Sequence, residues 1–368
     1  MRRIVVKVGT NTLASPDGRP DPAVLGALAA QMADLMAEGI HVVLVSSGAI
    51  GAGRAELGIQ EHPADIVERQ ALAAAGQHHL IQAWDDAFAP HDRRVAQVLL
   101  TYHTFGRRRS YLNLRNCLER LLAHGVVPVL NENDTVSIDE IDASFGDNDR
   151  LAALVAAKLE ADLLVLLSDV GGLYDRPPGE PGARRLPLVE VIDDAVLALA
   201  APAKAGGRGR GGMTSKLQSA KMATEMGVPV VLADGRQPDV VAAAAHGDDV
   251  GTRFLPAGHR SGRERWLLIA PSQGTIHIDA GAAAALAAGR HLLPAGVTGV
   301  DGDFDVASVV ALHHDGRDVA RALTELSSAD LRLVMGHSSQ DARARLGVEG
   351  TVNVTSKGRL ARLGSGSD

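Results

Sequence analysis

Four short apolar runs recur along the first half of the chain: IVVKV at 4–8, HVVLVSS at 41–47, GVVPVLNEND at 125–134 and DLLVLLSDVGG at 162–172. Each is rich in β-branched or leucine residues, ends in glycine or polar residues, and is followed by a helical pattern. Near-continuous apolar strands alternating with helices are buried on both faces, which requires a parallel sheet covered by helices. The expected fold is therefore α/β, an open and mainly parallel sheet in an α/β/α sandwich. The helices read from their spacing. Residues 22–38 place Val24, Leu28, Met32, Leu35 and Met36 on one face before Gly39, and 149–160 do the same with Leu151, Leu154, Val155 and Leu159. A fifth unit runs as a helix from about 215 to 226, through Gly227, into a strand at 228–233.

The texture changes after Leu255. PAGHRSGRER, within 256–273, reads as a linker, and 274–353 reads as a small, mostly β domain built from pieces such as TIHI and VVALHHD, with an alanine-rich helix at 282–288. Residues 354–368 read as a tail, leaving 1–255 as the large domain. Aromatic residues make up only 3% of the 368, and the net charge is −7, so base stacking and a basic nucleic-acid footprint are both missing. The single Cys117 excludes internal disulfides and a cysteine-built metal site, which suits a reducing cytoplasm. MRRIVVKVGTNTL is too broken for a signal peptide, and no run reaches the ~18–20 apolar residues of a membrane span.

In a doubly wound sheet the chemistry gathers outside the carboxyl ends of the strands, so the turns there are the candidates. Lys7 lies inside the first strand, where a buried ammonium is costly unless it meets an anion or snorkels to water, and Gly9, Thr10 and Asn11 follow it. SSGAIGAG at 46–53 lets backbone N–H groups approach an oxyanion, although a tight turn also needs glycine. Asn131, Glu132, Asn133, Asp134, Asp147, Asn148 and Asp149 crowd two loops. One of them suffices to cap the next helix, and the surplus suits a small polar ligand bearing an amino group. GGRGRGGMTSK at 206–216 fits neither a dinucleotide fingerprint nor a Walker loop. Ser215 and Gln218 have capping-box spacing there, whereas Lys216 opposes the helix dipole by about 0.3–1 kcal/mol unless it faces a phosphate. Two lysines, glycine loops and no H-E-x-x-H or G-x-S-x-G constellation suit phosphoryl transfer to an acceptor that is already ionised.

VVKVGTNTL, VSSGAIGAG, NENDTVS, FGDNDRLAAL, LLSDVGGLYDRPP and GGMTSKLQSAKMA, in this order, closely resemble the glutamate 5-kinases of the amino acid kinase family over about 1–255. The stretch from GTIHIDAGA to about 353 is similar to a PUA domain. The resemblance implies transfer of the ATP γ-phosphate to the γ-carboxylate of L-glutamate with Mg²⁺ carried mainly by the nucleotide phosphates. It implies that Lys7 and Lys216 neutralise the transferring group and that Asp149 orients them. Ser47, Asp134 and Asn148 would hold glutamate. Ser168, Asp169, Arg210, Gly211, Gly212, Met213, Thr214, Ser215 and Lys216, with Lys7, would bind ATP. Ser168 stands where threonine is common, and Arg208 and Arg210 are unusual in the glycine loop. Feedback inhibition by L-proline and a homo-oligomer, dimer or tetramer, are further implications. The alternatives are a kinase acting on aspartate, acetylglutamate, carbamate or UMP, or an RNA-binding role for the second domain. The acidic net charge disfavours RNA, and an oligomerisation element is the preferred reading of that domain.

Overall fold

The computed structural model describes residues 2–15, 17–61, 63, 65–101, 103–106, 108–136, 147–200, 212–258 and 261–363. The chain divides into two units, 1–259 and 260–368.

The first unit is built on an eight-stranded sheet. Its strands are β1 (Arg3–Val8), β2 (His41–Ser46), β3 (Val95–Leu100), β4 (Val127–Glu132), β5 (Leu163–Ser168), β6 (Leu188–Val189), β7 (Val230–Asp234) and β8 (Thr252–Phe254), in the order β3-β4-β2-β1-β5-β7-β8-β6. The pairs from β3 to β7 are parallel and β8 runs antiparallel to β7, so the sheet is mainly parallel. β4 and β5 are buried along their whole length, as strands covered on both faces must be. The chain builds outward from β1 through β2 to β4 and β3, then returns to set β5 on the other side of β1. Strand order thus reverses beside β1, which places a crevice at the carboxyl end of that strand.

Helix Pro22–Ala37 begins where Asp21 accepts from Ala23 N–H and proline occupies the first turn, and Gly39 follows in the left-handed region at φ 84°. It buries Leu25, Leu28, Met32 and Leu35 on the sheet. Helices Ala49–Leu57 and Ile66–Phe88 cross with their backbones in contact. A Cβ at Gly53 would overlap the Leu72 carbonyl oxygen and one at Gly76 the Ala49 carbonyl oxygen, so both positions require glycine. Trp84 and Phe88, on the same long helix, are fully buried in the core beneath. Helices Asp147–Lys158 and Met213–Glu225 lead into β5 and β7.

The second unit holds a five-stranded sheet of β9 (Thr275–Ile278), β10 (Val297–Asp301), β11 (Val309–His314), β12 (Arg317–Leu323) and β13 (Leu360–Arg362), ordered β10-β9-β11-β12-β13. Only the β9–β11 pair is parallel. Ile276, Ile278, Val310, Leu312, Leu331 and Val334 form its core.

Two expected boundaries change. The stretch 256–273 is not a linker throughout, because Gly262–Ile269 is a helix of the second unit. Ser261 and Glu264 close a full capping box at its start, and Leu267 packs with Val309 and Ala361. Its glycines and arginines mask an S-x-x-E signal before the apolar WLLI. The stretch from 354 is not a tail as far as 363, since Val354 is buried and β13 pairs with β12.

Candidate active site

β1 carries Lys7 toward the crevice, and the register sets it between Val45 of β2 and Leu166 of β5. The side chain is buried, and its ammonium meets Asp149 Oδ1 at 2.6 Å. Asp149 lies in the first turn of helix Asp147–Lys158. Its other oxygen, Oδ2, accepts from Lys216 Nζ at 3.2 Å, on helix Met213–Glu225. Three elements far apart in the chain therefore bring two ammonium groups onto one carboxylate, and the acid is only 2% exposed. Gly9 makes room for this: a Cβ there would sit 3.3 Å from Lys7 Nζ. Burial opposes the ionisation of Asp149, but Lys7 and Lys216 outweigh it and hold its carboxyl below the usual carboxylate range.

A second cluster lies at the ends of β2 and β4. Asn148 Nδ2 donates to Ser47 Oγ at 2.9 Å and to Asn131 Oδ1 at 2.9 Å. Asn131 Nδ2 donates to Gln77 Oε1 at 2.8 Å on helix Ile66–Phe88. Ser46, which precedes Ser47, is fixed from below by Trp84 Nε1, which donates to its Oγ at 2.8 Å. Asp134 follows β4 in the turn after Asn133 and lines a groove of about 310 Å³ together with Gln77, Glu132 and Thr135. This edge is dense in amide, hydroxyl and carboxylate groups, the donor and acceptor set that recognises an amino acid.

A third cluster lies at the end of β5. Asp169 accepts from Asn11 Nδ2 at 3.0 Å and from Ser168 Oγ at 3.1 Å. Burial works against its ionisation, yet these donors, its own backbone N–H and the charge of Lys216 lower its pKa. Ser168 itself is buried.

The glycine-loop residues divide. Gly212 is the N-cap of helix Met213–Glu225, Met213 is its first residue, and Ser215 is buried inside it. The capping-box reading of Ser215 and Gln218 is thereby corrected: the helix begins three residues earlier than that pairing requires, with Gly212 in place of Ser215 as the N-cap. Thr214 Oγ1 donates to the Ala200 carbonyl at 3.1 Å, a local structural bond. Arg208, Arg210 and Gly211 lie outside the described residues.

Asn131, one of the polar residues crowding the two loops, and Asn11, in the turn after Lys7, join these clusters without an individual role having been read for them, and Gln77 and Trp84 join them without having been noticed at all. Gln77 and Trp84 lie on a helix that carries none of the quoted motifs and reach the site only through the fold. Among the described residues, no helix is long and apolar enough to cross a membrane.

Comparison with known proteins gives a consistent result. The sequence profile of the amino acid kinase family matches residues 2–234, and that of the PUA domain matches 274–346. A glutamate 5-kinase of Methanosarcina mazei is 40% identical over 99% of this chain and 96% of its own length. Proteins of the same name from Myxococcus xanthus and Shewanella amazonensis are 47% and 45% identical, over 94% and 95% of this chain and 92% of each relative. With the lysine pair and its carboxylate at the mouth of a parallel sheet, and with this similarity along nearly its whole length, the chain belongs to the amino acid kinase family and carries a PUA domain.

Proposed function

We propose that the chain is a glutamate 5-kinase, transferring the γ-phosphoryl group of ATP to the γ-carboxylate of L-glutamate in the first step of proline biosynthesis. The observation that carries this reading is the convergence of Lys7 and Lys216 on the buried Asp149, beside the hydrogen-bonded cluster of Ser47, Asn131 and Asn148. An oxygen of the substrate carboxylate forms a bond to the γ-phosphorus while the bond from that phosphorus to the bridging oxygen of ADP breaks. The acceptor, with a reference pKa of about 4.3, is ionised before it binds, so no residue has to remove a proton. Lys7 and Lys216 set positive charge against the transferring group, where it is worth most in a dry site. Asp149 holds both ammonium groups in place and remains ionised.

Ser47 and Asn148 hold glutamate from the carboxyl edge of the sheet, and Asp134 offers a carboxylate to its ammonium group. Ser168 and Asp169 receive the nucleotide, with Gly212, Met213, Thr214 and Ser215 leading into Lys216; resemblance to the glutamate 5-kinases adds Arg210 and Gly211 to the residues that bind ATP. Mg²⁺ supplies charge neutralisation on the ATP phosphates. The donors at this edge are ammonium groups, amides and separated carboxylates, a set that fits an ion carried by the nucleotide rather than held in a protein cage. Resemblance to the glutamate 5-kinases adds a homo-oligomer, a cytoplasmic location and inhibition by L-proline to the proposal.

Incubation of the purified protein with ATP, Mg²⁺, L-glutamate and hydroxylamine tests it. A glutamate-dependent hydroxamate is expected, with less product from aspartate, acetylglutamate, carbamate or UMP. Absence of any glutamate-dependent product contradicts the reading. Millimolar proline should lower the rate at low glutamate, and light scattering should return a mass above the monomer.

A further inference from the structure

Gln77 belongs to none of the glycine motifs, yet it closes the hydrogen-bond chain that runs through the proposed glutamate pocket. One backbone group fixes the direction of every bond in that chain. Glu132 N–H donates to Asn131 Oδ1 at 2.9 Å, so the other end of the Asn131 amide must be its NH₂. That NH₂ donates to Gln77 Oε1 at 2.8 Å. Asn131 Oδ1 also accepts from Asn148 Nδ2, which gives its second hydrogen to Ser47 Oγ. Turning any one amide over would set donor against donor or acceptor against acceptor, so the four side chains hold one another in a single arrangement. Asn131 is only 3% exposed, which leaves little access for water to replace Gln77 as the acceptor.

We infer that Gln77 is a positioning residue for substrate binding: its Oε1 fixes the orientation of Asn131, and through Asn131 it holds Asn148 and Ser47 as glutamate requires. The inference rests on the assignment of Ser47 and Asn148 to the glutamate pocket. None of the four bonds just named involves Lys7, Asp149 or Lys216, so the effect of losing Gln77 is expected on glutamate binding and not on phosphoryl transfer.

Steady-state kinetics on full-length Gln77→Leu, Asn131→Leu, the double variant, Gln77→Glu and Asn148→Ala test it, with glutamate and ATP each varied. Gln77→Leu should raise the glutamate KM about tenfold and leave kcat and the ATP KM within about threefold. Adding it to Asn131→Leu should change the glutamate KM by less than about threefold, because both act through one bond. Gln77→Glu keeps an acceptor oxygen and should recover most of the lost affinity; a purely structural defect would not be rescued in this way. A glutamate KM for Gln77→Leu within about twofold of the parent overturns the role, as do multiplicative effects in the double variant. Asn148→Ala separates the two levels: if it leaves the glutamate KM unchanged, the pocket assignment itself fails. If it raises KM while Gln77→Leu does not, only the positioning role fails.

Discussion

Opposite charges meet in both units of this chain, but at different depths. In the first unit Lys7, Asp149 and Lys216 gather where none of the three side chains is more than 10% exposed. In the second, Arg332 lies 3.0 Å from Asp303, and that acid is 91% exposed. Exposed pairs of this kind contribute about 0–1 kcal/mol and are what a solvated sheet surface accumulates. Burying three charges costs several kcal/mol per ion before any attraction returns it, and well-packed apolar residues would stabilise the same space as well or better. A fold that keeps the buried set therefore keeps it for a purpose other than stability. The depth of the cluster marks the site; the presence of ion pairs does not.

Removing the shared carboxylate gives the largest expected effect. Asp149→Ala leaves two buried ammonium groups without it, and kcat should fall by about 10³-fold or more. Urea denaturation near pH 7 should show a loss of about 3–5 kcal/mol. Because the pKa of Asp149 is depressed in the folded protein, its stabilisation is present above the unfolded value of about 3.9 and fades as the pH falls through the lower folded value. The deficit of the variant should accordingly shrink in acid.

The backbone behind the site comes next. A Cβ at Gly76 would meet the Ala49 carbonyl oxygen and Gly53 N, so Gly76→Ala should cost roughly 1–3 kcal/mol in thermal or chemical unfolding. An equivalent change at the open Gly316 turn of the second unit meets no neighbouring atoms, although its φ of +77° still adds some strain.

Lys158 sharpens the comparison in a different way, as a buried cation that, among the described residues, has no carboxylate as close as Asp149 is to Lys7. Its ammonium sits over the Tyr111 ring, and burial, then the Arg115 charge, lower its pKa to about 7. Between about pH 7 and the unfolded value of about 10.4 the unfolded chain holds a proton that the folded one has released, so this group makes stability rise with pH across that window. Lys158→Met removes the dependence. Its melting temperature relative to the parent should be most favourable near pH 6 and decline toward pH 9; a difference independent of pH would contradict the assignment. The smallest effect belongs to the second unit, where Arg332→Ala should change stability by under about 1 kcal/mol and leave the kinase kinetics alone.

Much of the first unit was legible because a parallel sheet writes long apolar strands and puts its glycines at their ends. The strands at Arg3–Val8, His41–Ser46, Val127–Glu132 and Leu163–Ser168 read directly in this way. β3 did not: it lies at the sheet edge, and Gln97 breaks its apolar run. The long helix Ile66–Phe88 was also missed, because its sequence mixes alanine, glycine and histidine with few large residues. Its one glycine, Gly76, serves the close crossing with helix Ala49–Leu57. The charged centre was visible as two odd lysines and a surplus of acids, since a buried ammonium asks for a partner. Gln77 and Trp84 were not visible, because a hydrogen bond spanning 54 or 38 residues leaves no local pattern. The second unit misled at both ends, where a capping box sat inside a basic, glycine-rich stretch and a closing strand was only three residues long.

The central claim is that the buried lysines act on the transferring phosphoryl group and not on holding the substrate. Lys216→Ala, assayed by glutamate-dependent hydroxamate formation with both substrates varied, tests it most directly. The account predicts a fall in kcat of about 10²–10³-fold or more with the glutamate KM within about threefold of the parent. A normal kcat, or a loss confined to the glutamate KM, would contradict it.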